Sequence, residues 1–252
     1  MSQRLGRGLL QLSEIKATGA GVRVVVADSG VHAAHPHVRH VAGGIRVDAA
    51  GGEHDDYIDR LGHGTAVTAV IREKAPDADI FAVQIFDREL ATTAEALVGA
   101  IRWAIRHDAH LVNLSLGTTN SLHEGALAVA VGEATSAHVT IVAAAPEEGR
   151  RWLPGAMPGV IGVELDWTLP RDACFVTVGL DGAIRMRASG YPRPIPGVSP
   201  ERNLKGLSFA VANATGLLAR LLEGHAAAGS ERYLTSILCG ALEGESGTTP
   251  SS

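Results

Sequence analysis

Cysteine is nearly missing from this chain, and so are one-signed charge runs and long apolar runs. The two cysteines, Cys174 and Cys239, are too few for a disulfide framework and sit in no zinc-binding spacing. They allow at most one bridge. No dense Lys/Arg tract exists and the net charge is −5, which excludes a nucleic-acid binder that works by neutralising phosphates. Charged residues interrupt every long apolar stretch, so none approaches the roughly 18 to 20 residues of a membrane-spanning helix. In Met1 to Leu12, Gly and Gln break the apolar residues, and no secretory core is left. The chain therefore reads as cytoplasmic, with no membrane or nucleic-acid partner. No internal repeat is present. Against these absences, 46% of the 252 residues are hydrophobic and 19% charged, enough apolar material for the core of one large domain and too much for a disordered chain.

The apolar residues fall into short blocks that alternate between two periods. Val22-Arg23-Val24-Val25-Val26-Ala27 is a buried-strand pattern that delivers Asp28 at its carboxyl end, the edge of a parallel sheet where ligands bind. Further strands are expected at 80–86, 111–116, 139–145 and 160–164, with helices at 64–73, 93–107, 124–136 and from about 208 to 223. A hairpin is expected around Asp181-Gly182, a loop over the proline-rich 191–200, an extension over about residues 1–20 and a frayed tail over about 245–252. Strand and helix alternate throughout, which predicts an α/β single domain: a mostly parallel central sheet with helices on both faces.

Three glycine-flanked polar residues stand out: Asp28 in Asp28-Ser29-Gly30, His63 in Gly62-His63-Gly64-Thr65, and Ser208 in Gly206-Leu207-Ser208-Phe209-Ala210. Singly each has an ordinary explanation, as a loop residue or a helix cap. Together they keep the order Asp, His, Ser, which among the known serine triads is that of subtilisin. On these residues, with His35-Pro36, Ile80 to Val83, Val112 to Gly117 and Val142 to Ala145, the chain resembles the subtilisin-like serine proteases from about Leu12 to Leu222. The resemblance implies a subtilisin-like fold and a catalytic triad in which Ser208 attacks a peptide carbonyl, His63 takes its proton and Asp28 orients the imidazole. It also implies that Ser115, Leu116 and Gly117, with Ala145, bind an extended peptide or unstructured protein substrate, and that no cofactor is needed. The function expected is a serine endopeptidase, with maturation or leader removal of a ribosomally made peptide as a possible setting; the alternative is a catalytically silent peptide-binding relative.

Three departures from the family pattern qualify that expectation. Pro146-Glu147-Glu148-Gly149 stands where the family has Gly-Asn-x-Gly, and Glu147 takes the place of the Asn whose amide donates to the oxyanion. A charged carboxylate about 3.5 Å from an oxyanion, at an effective dielectric of about 20, repels it by roughly 5 kcal/mol. Glu147 is therefore a protonated donor, or turns away towards Arg150 or Arg151, or marks lost activity. The family's tight calcium site uses an Asp after His-Pro and a loop after the His-motif helix. Here His37 replaces the Asp and residues 71–79 run straight on, so no structural calcium is expected. His32, His35, His37 and His40 read as loop histidines and not as a metal site.

Overall fold

The computed structural model describes residues 4–145, 151–225 and 230–244. Its centre is β2 (Arg23–Asp28), which pairs in parallel with β5 (Asp79–Gln84) on one side and β6 (Leu111–Leu114) on the other. From β6 the parallel sheet continues through β7 (Thr140–Ala144), β8 (Val160–Leu165) and β10 (Ile184–Ala188), and from β5 to β3 (Gly43–Val47). Only the margins reverse. There β9 (Ala173–Gly179) runs antiparallel to β10, β1 (Arg4–Gln11) antiparallel to β9, and β4 (Glu53–His54) antiparallel to β3, completing a 10-stranded sheet.

Alternation along β2 explains why both faces are covered. Val24 and Val26 face a cluster built with Val67, Val70 and Ile71 of α1 (His63–Lys74), Val211 and Leu217 of α4 (Leu207–Leu221), and Leu234 and Leu238 of α5 (Ser230–Gly244). Val25 and Ala27 face Leu97 and Ile101 of α2 (Ala94–Arg106) and Leu127 and Val131 of α3 (Glu124–Ser136). A strand buried on both sides needs the continuous apolar run that the sequence shows. Among the described residues, no helix is long and apolar enough to cross a membrane.

The structure corrects the sequence reading at both margins. Residues 4–11, expected to form part of an extension, are an edge strand held by β9; residues 43–47 and 53–54 are strands and 230–244 a helix where none was expected. The strand expected over 111–116 ends at Leu114, which frees Ser115 and Leu116 from the ladder. The hairpin around Asp181-Gly182 is β9 and β10. Both cysteines are free thiols, Cys174 being buried with its pKa pushed by desolvation to about 12. The tail beyond 244 lies outside the described residues.

Candidate active site

The carboxyl end of β2 places Asp28 at 0% exposure, where its Oδ1 accepts from His63 Nδ1 at 2.7 Å and from the Ser29 N–H at 2.7 Å. Its Oδ2 has no hydrogen-bond partner among the described residues. With Asp28 accepting, the neutral imidazole carries its proton on Nδ1, and Nε2 keeps a lone pair free to act as a base. Burial lowers the pKa of His63, but the hydrogen bond and charge of Asp28 and the charge of Asp59 outweigh it, and the net direction is upward.

His63 opens α1, and its position depends on close backbone approach. A Cβ on Gly64 would lie 2.2 Å from the Gly30 carbonyl, so only glycine lets the helix start abut the turn after Asp28. No side chain of Gly62 caps this helix. Asp59 does that work: its Oδ1 accepts from Ser29 Oγ (2.8 Å) and the Leu61 and Gly62 N–H groups (3.0 and 2.8 Å), its Oδ2 from Thr65 N–H and Oγ1 (2.9 and 2.5 Å). Ser29 Oγ in turn accepts from Gly64 N–H at 2.9 Å. Asp59 thus ties the Asp28 turn to the His63 helix, and an acidic residue at a helix N-terminus is also favoured by the helix dipole. Asp59 was not among the expected site residues; its signal was an Asp a few residues before a helix that lacks its own capping side chain.

Ser208 lies in the first turn of α4, which follows Gly206 at φ 149°, a conformation closed to residues with a Cβ. Its hydroxyl donates to the Ser115 carbonyl at 3.2 Å, and Ser115 Oγ donates to the Ser208 carbonyl at 3.4 Å. The next residue, Phe209, sets its ring against the His63 imidazole, centroids 5.8 Å apart. The structure therefore joins Asp28 to His63 directly and sets Phe209, the residue after Ser208, against the imidazole, while the Ser208 hydroxyl is bonded to Ser115.

Behind Ser115 lies a polar chain that the sequence reading also missed. Thr215 Oγ1, on α4, donates to Asn113 Oδ1 at 3.0 Å, and Asn113 Nδ2 donates to Ser115 Oγ at 2.9 Å, both residues being fully buried. Leu116 and Gly117 continue from Ser115 to Thr118, which pairs as an antiparallel bridge with Leu153. A Cβ on Gly117 would lie 2.7 Å from the Trp152 ring. Ala145 is buried and its N–H is taken by the Val163 carbonyl at 2.8 Å, so that N–H is not available to a substrate. Glu147 lies outside the described residues, as does Arg150. Arg151 is described, and Glu124 holds its guanidinium through two hydrogen bonds of 2.7 and 2.6 Å.

Where the family's calcium site was sought, a side-chain cation gathers the backbone. Only residues 75–78 separate α1 from β5, and Arg72, buried near the end of α1, donates to the carbonyls of Val38 (3.1 Å), His40 (2.8 Å), Pro76 (2.8 Å) and Ala78 (2.7 Å). Among the described residues, no cluster of His, Cys, Asp or Glu is arranged to hold a metal ion.

A family model described as the subtilase family matches residues 19–164. The thermostable alkaline protease of Halalkalibacterium halodurans is 31% identical over 226 residues, covering 85% of this chain and 58% of that protein, so this chain spans less than three fifths of that relative's length. Among solved structures, sphericase aligns with a TM-score of 0.69 at 22% identity, covering 95% of this chain and 91% of its own. The nisin leader peptidase NisP from Lactococcus lactis aligns with a TM-score of 0.65 at 16% identity, covering 88% and 83%. The two structural likenesses establish the fold.

Proposed function

The chain belongs to the subtilase family, and from that premise we propose that it is a serine endopeptidase, with Ser208 as nucleophile, His63 as general base and Asp28 as the group that orients and charges the imidazole. The observation that carries this reading is the 2.7 Å hydrogen bond between buried Asp28 and His63 Nδ1, which leaves Nε2 as the only basic nitrogen of the ring. In the reaction the Ser208 hydroxyl leaves the Ser115 carbonyl and turns its proton to Nε2; such bonds tighten when substrate is seated. The oxygen attacks the peptide carbonyl, and the proton on Nε2 then passes to the departing amine, leaving an acyl-enzyme that water hydrolyses by the same exchange. The Ser208 N–H, in the first helical turn where no intrahelical acceptor exists, is free to donate to the developing oxyanion. Ser115 to Gly117, released from β6, offer backbone groups to an extended substrate strand. The likeness in fold to NisP, named as a leader peptidase, supports maturation of a ribosomally made peptide as the biological setting.

A second reading, a silent peptide-binding relative, is favoured by one observation: the Ser208 hydroxyl is engaged by Ser115. A fluorophosphonate probe separates the two. Labelling of the wild type that disappears in Ser208→Ala supports the enzyme; equal absence of label in both supports the silent binder.

A further inference from the structure

A cavity of about 630 Å³ opens beside the His63 helix, walled by residues of three separate segments. Gly62, Thr65, Ala66 and Ala69 contribute the start of α1, His32, His35 and His37 the loop after Asp28, and Pro192, Arg193, Ile195, Asn203 and Leu204 the stretch that leads to Ser208. Its surface is mostly apolar, with Ile195 and Leu204 about half exposed (48% and 55%). Residues 115–118 and 152–155, which form the strand-pairing side, contribute nothing to its wall. The wall includes Gly62 and Thr65, which flank His63 in the chain, and on the endopeptidase reading His63 hands its proton to the departing amine, which assigns the cavity to the leaving-group side of the scissile bond.

The charges around the cavity are unbalanced in use. Asp59, the one acid in the wall, has both carboxylate oxygens occupied by the donors of Ser29, Leu61, Gly62 and Thr65. Glu73, whose charge reaches His37 and Arg193, is held by Arg171 and lies 3.7 Å from the Lys74 ammonium. Arg193 is half-buried, its carbonyl is fixed by Asn203 Nδ2 at 3.0 Å, and its guanidinium has no hydrogen bond or ion pair among the described residues. His37 N–H donates to His35 Nδ1 at 3.2 Å, so the proton of a neutral His35 ring lies on Nε2. Burial and the charge of Arg193 keep His37 below its ordinary value, against the opposing pull of Glu73. The Arg193 guanidinium feels the charge of Glu73 but makes no direct contact with a carboxylate among the described residues, and Arg is the side chain suited to gripping a carboxylate through two parallel hydrogen bonds.

We propose that this cavity binds an acidic side chain of the substrate on the leaving-group side of the scissile bond, with Arg193 as counter-charge and Ala66, Ala69, Ile195 and Leu204 covering the methylenes. The proposal rests on the endopeptidase reading for its orientation, and not for the existence of the pocket.

The test is a positional library of internally quenched peptides in which each of the first three leaving-group residues is Glu, Gln, Lys or Leu. At one position Glu should exceed Gln by about tenfold in kcat/KM, the size of one charge-assisted contact, with Lys poorest. Arg193→Gln should bring the Glu-to-Gln ratio close to one, and Arg193→Lys should keep most of it. Glu no better than Gln at every position, or a preference that survives Arg193→Gln, overturns the proposal. If no peptide is cut and Ser208 takes no fluorophosphonate, the endopeptidase reading fails instead. The same peptides are then titrated against the wild type by fluorescence anisotropy, where about tenfold tighter binding of Glu over Gln sustains the pocket and equal binding removes it. Should Arg193→Gln fail to fold, the Glu and Gln comparison on the unaltered protein decides alone.

Discussion

Ser115 and Ser208 hold each other by a reciprocal pair of hydrogen bonds, hydroxyl to carbonyl in each direction, at 3.2 and 3.4 Å. The pairing locks the substrate-binding segment to the start of α4. Ser115 is itself held by Asn113, and Asn113 by Thr215, so a residue two helical turns beyond Ser208 helps to position it. Thr215→Val is expected to leave the Asn113 carbonyl oxygen buried and unpaired, lowering stability by about 1 to 3 kcal/mol. Thr215→Ser keeps the donor and should restore both the melting temperature and kcat. If Thr215→Val melts and turns over like the wild type, the chain of hydrogen bonds positions nothing.

On the endopeptidase reading, Asp28 sets the pH at which the site works. His63 has a raised pKa, and a general base must be neutral, so kcat/KM should climb with pH along a limb whose midpoint lies above the ordinary histidine value of 6.5. The same shift has a stability sign. Because the folded pKa is the higher one, His63 contributes stability that is fully present below about pH 6.5 and is lost as pH rises through the folded value. Asp28→Asn should cut kcat by about 10⁴-fold, as loss of the carboxylate does in a Ser-His-Asp triad. An acid limb centred below 6.5 in the wild type contradicts the assignment.

Arg72 supplies a positive charge to four carbonyls and so gathers the loop after Asp28 and the end of α1. Chelation of divalent ions is expected to leave the melting temperature unchanged, since nothing is removed from the native state. Arg72→Ala strands buried carbonyls and should cost at least about 3 kcal/mol. A drop of several degrees on adding chelator to the wild type would falsify this account.

Glu124 engages the Arg151 guanidinium through two hydrogen bonds, and three readings of Glu147 stand: a protonated donor, a side chain turned towards Arg150 or Arg151, or a sign of lost activity. Glu147 acting as a protonated donor then predicts hydrolysis that declines as pH rises through its pKa. Glu147→Gln should abolish that decline and hold or raise activity near pH 7, and Glu147→Asn should do the same. A flat wild-type profile above the His63 titration rules out the protonated donor and leaves the endopeptidase reading intact.

How much of this was legible in the sequence depends on how local each determinant is. β2 was readable because every residue from Val24 to Asp28 is buried, and the apolar run says so directly. The Asp28 and His63 motifs were readable because close approach, as at Gly64, forces glycine into the sequence. By contrast, β1 is broken by Gly6 and Gly8, and its partner β9 lies far along the chain, so only the fold reveals the pairing. Asp59, Thr215 and Arg72 are ordinary residues by type, and what gives each its role is a partner distant in sequence: Ser29 for Asp59, Asn113 for Thr215, Val38 and His40 for Arg72. Their roles arise from tertiary hydrogen bonds, which leave no periodicity to read.

The pairing of β1 with β9 also orders events during synthesis. Residues 4–11 leave the ribosome well before their ladder partners at 173–179. At about 5 to 20 residues per second, that is a wait on the order of ten seconds. Amides of β1 should accordingly gain hydrogen-exchange protection after those of β2 and β5 in a synthesis-coupled labelling experiment. Until then the nascent chain carries a strand with nowhere to go, and this margin of the sheet closes after its centre.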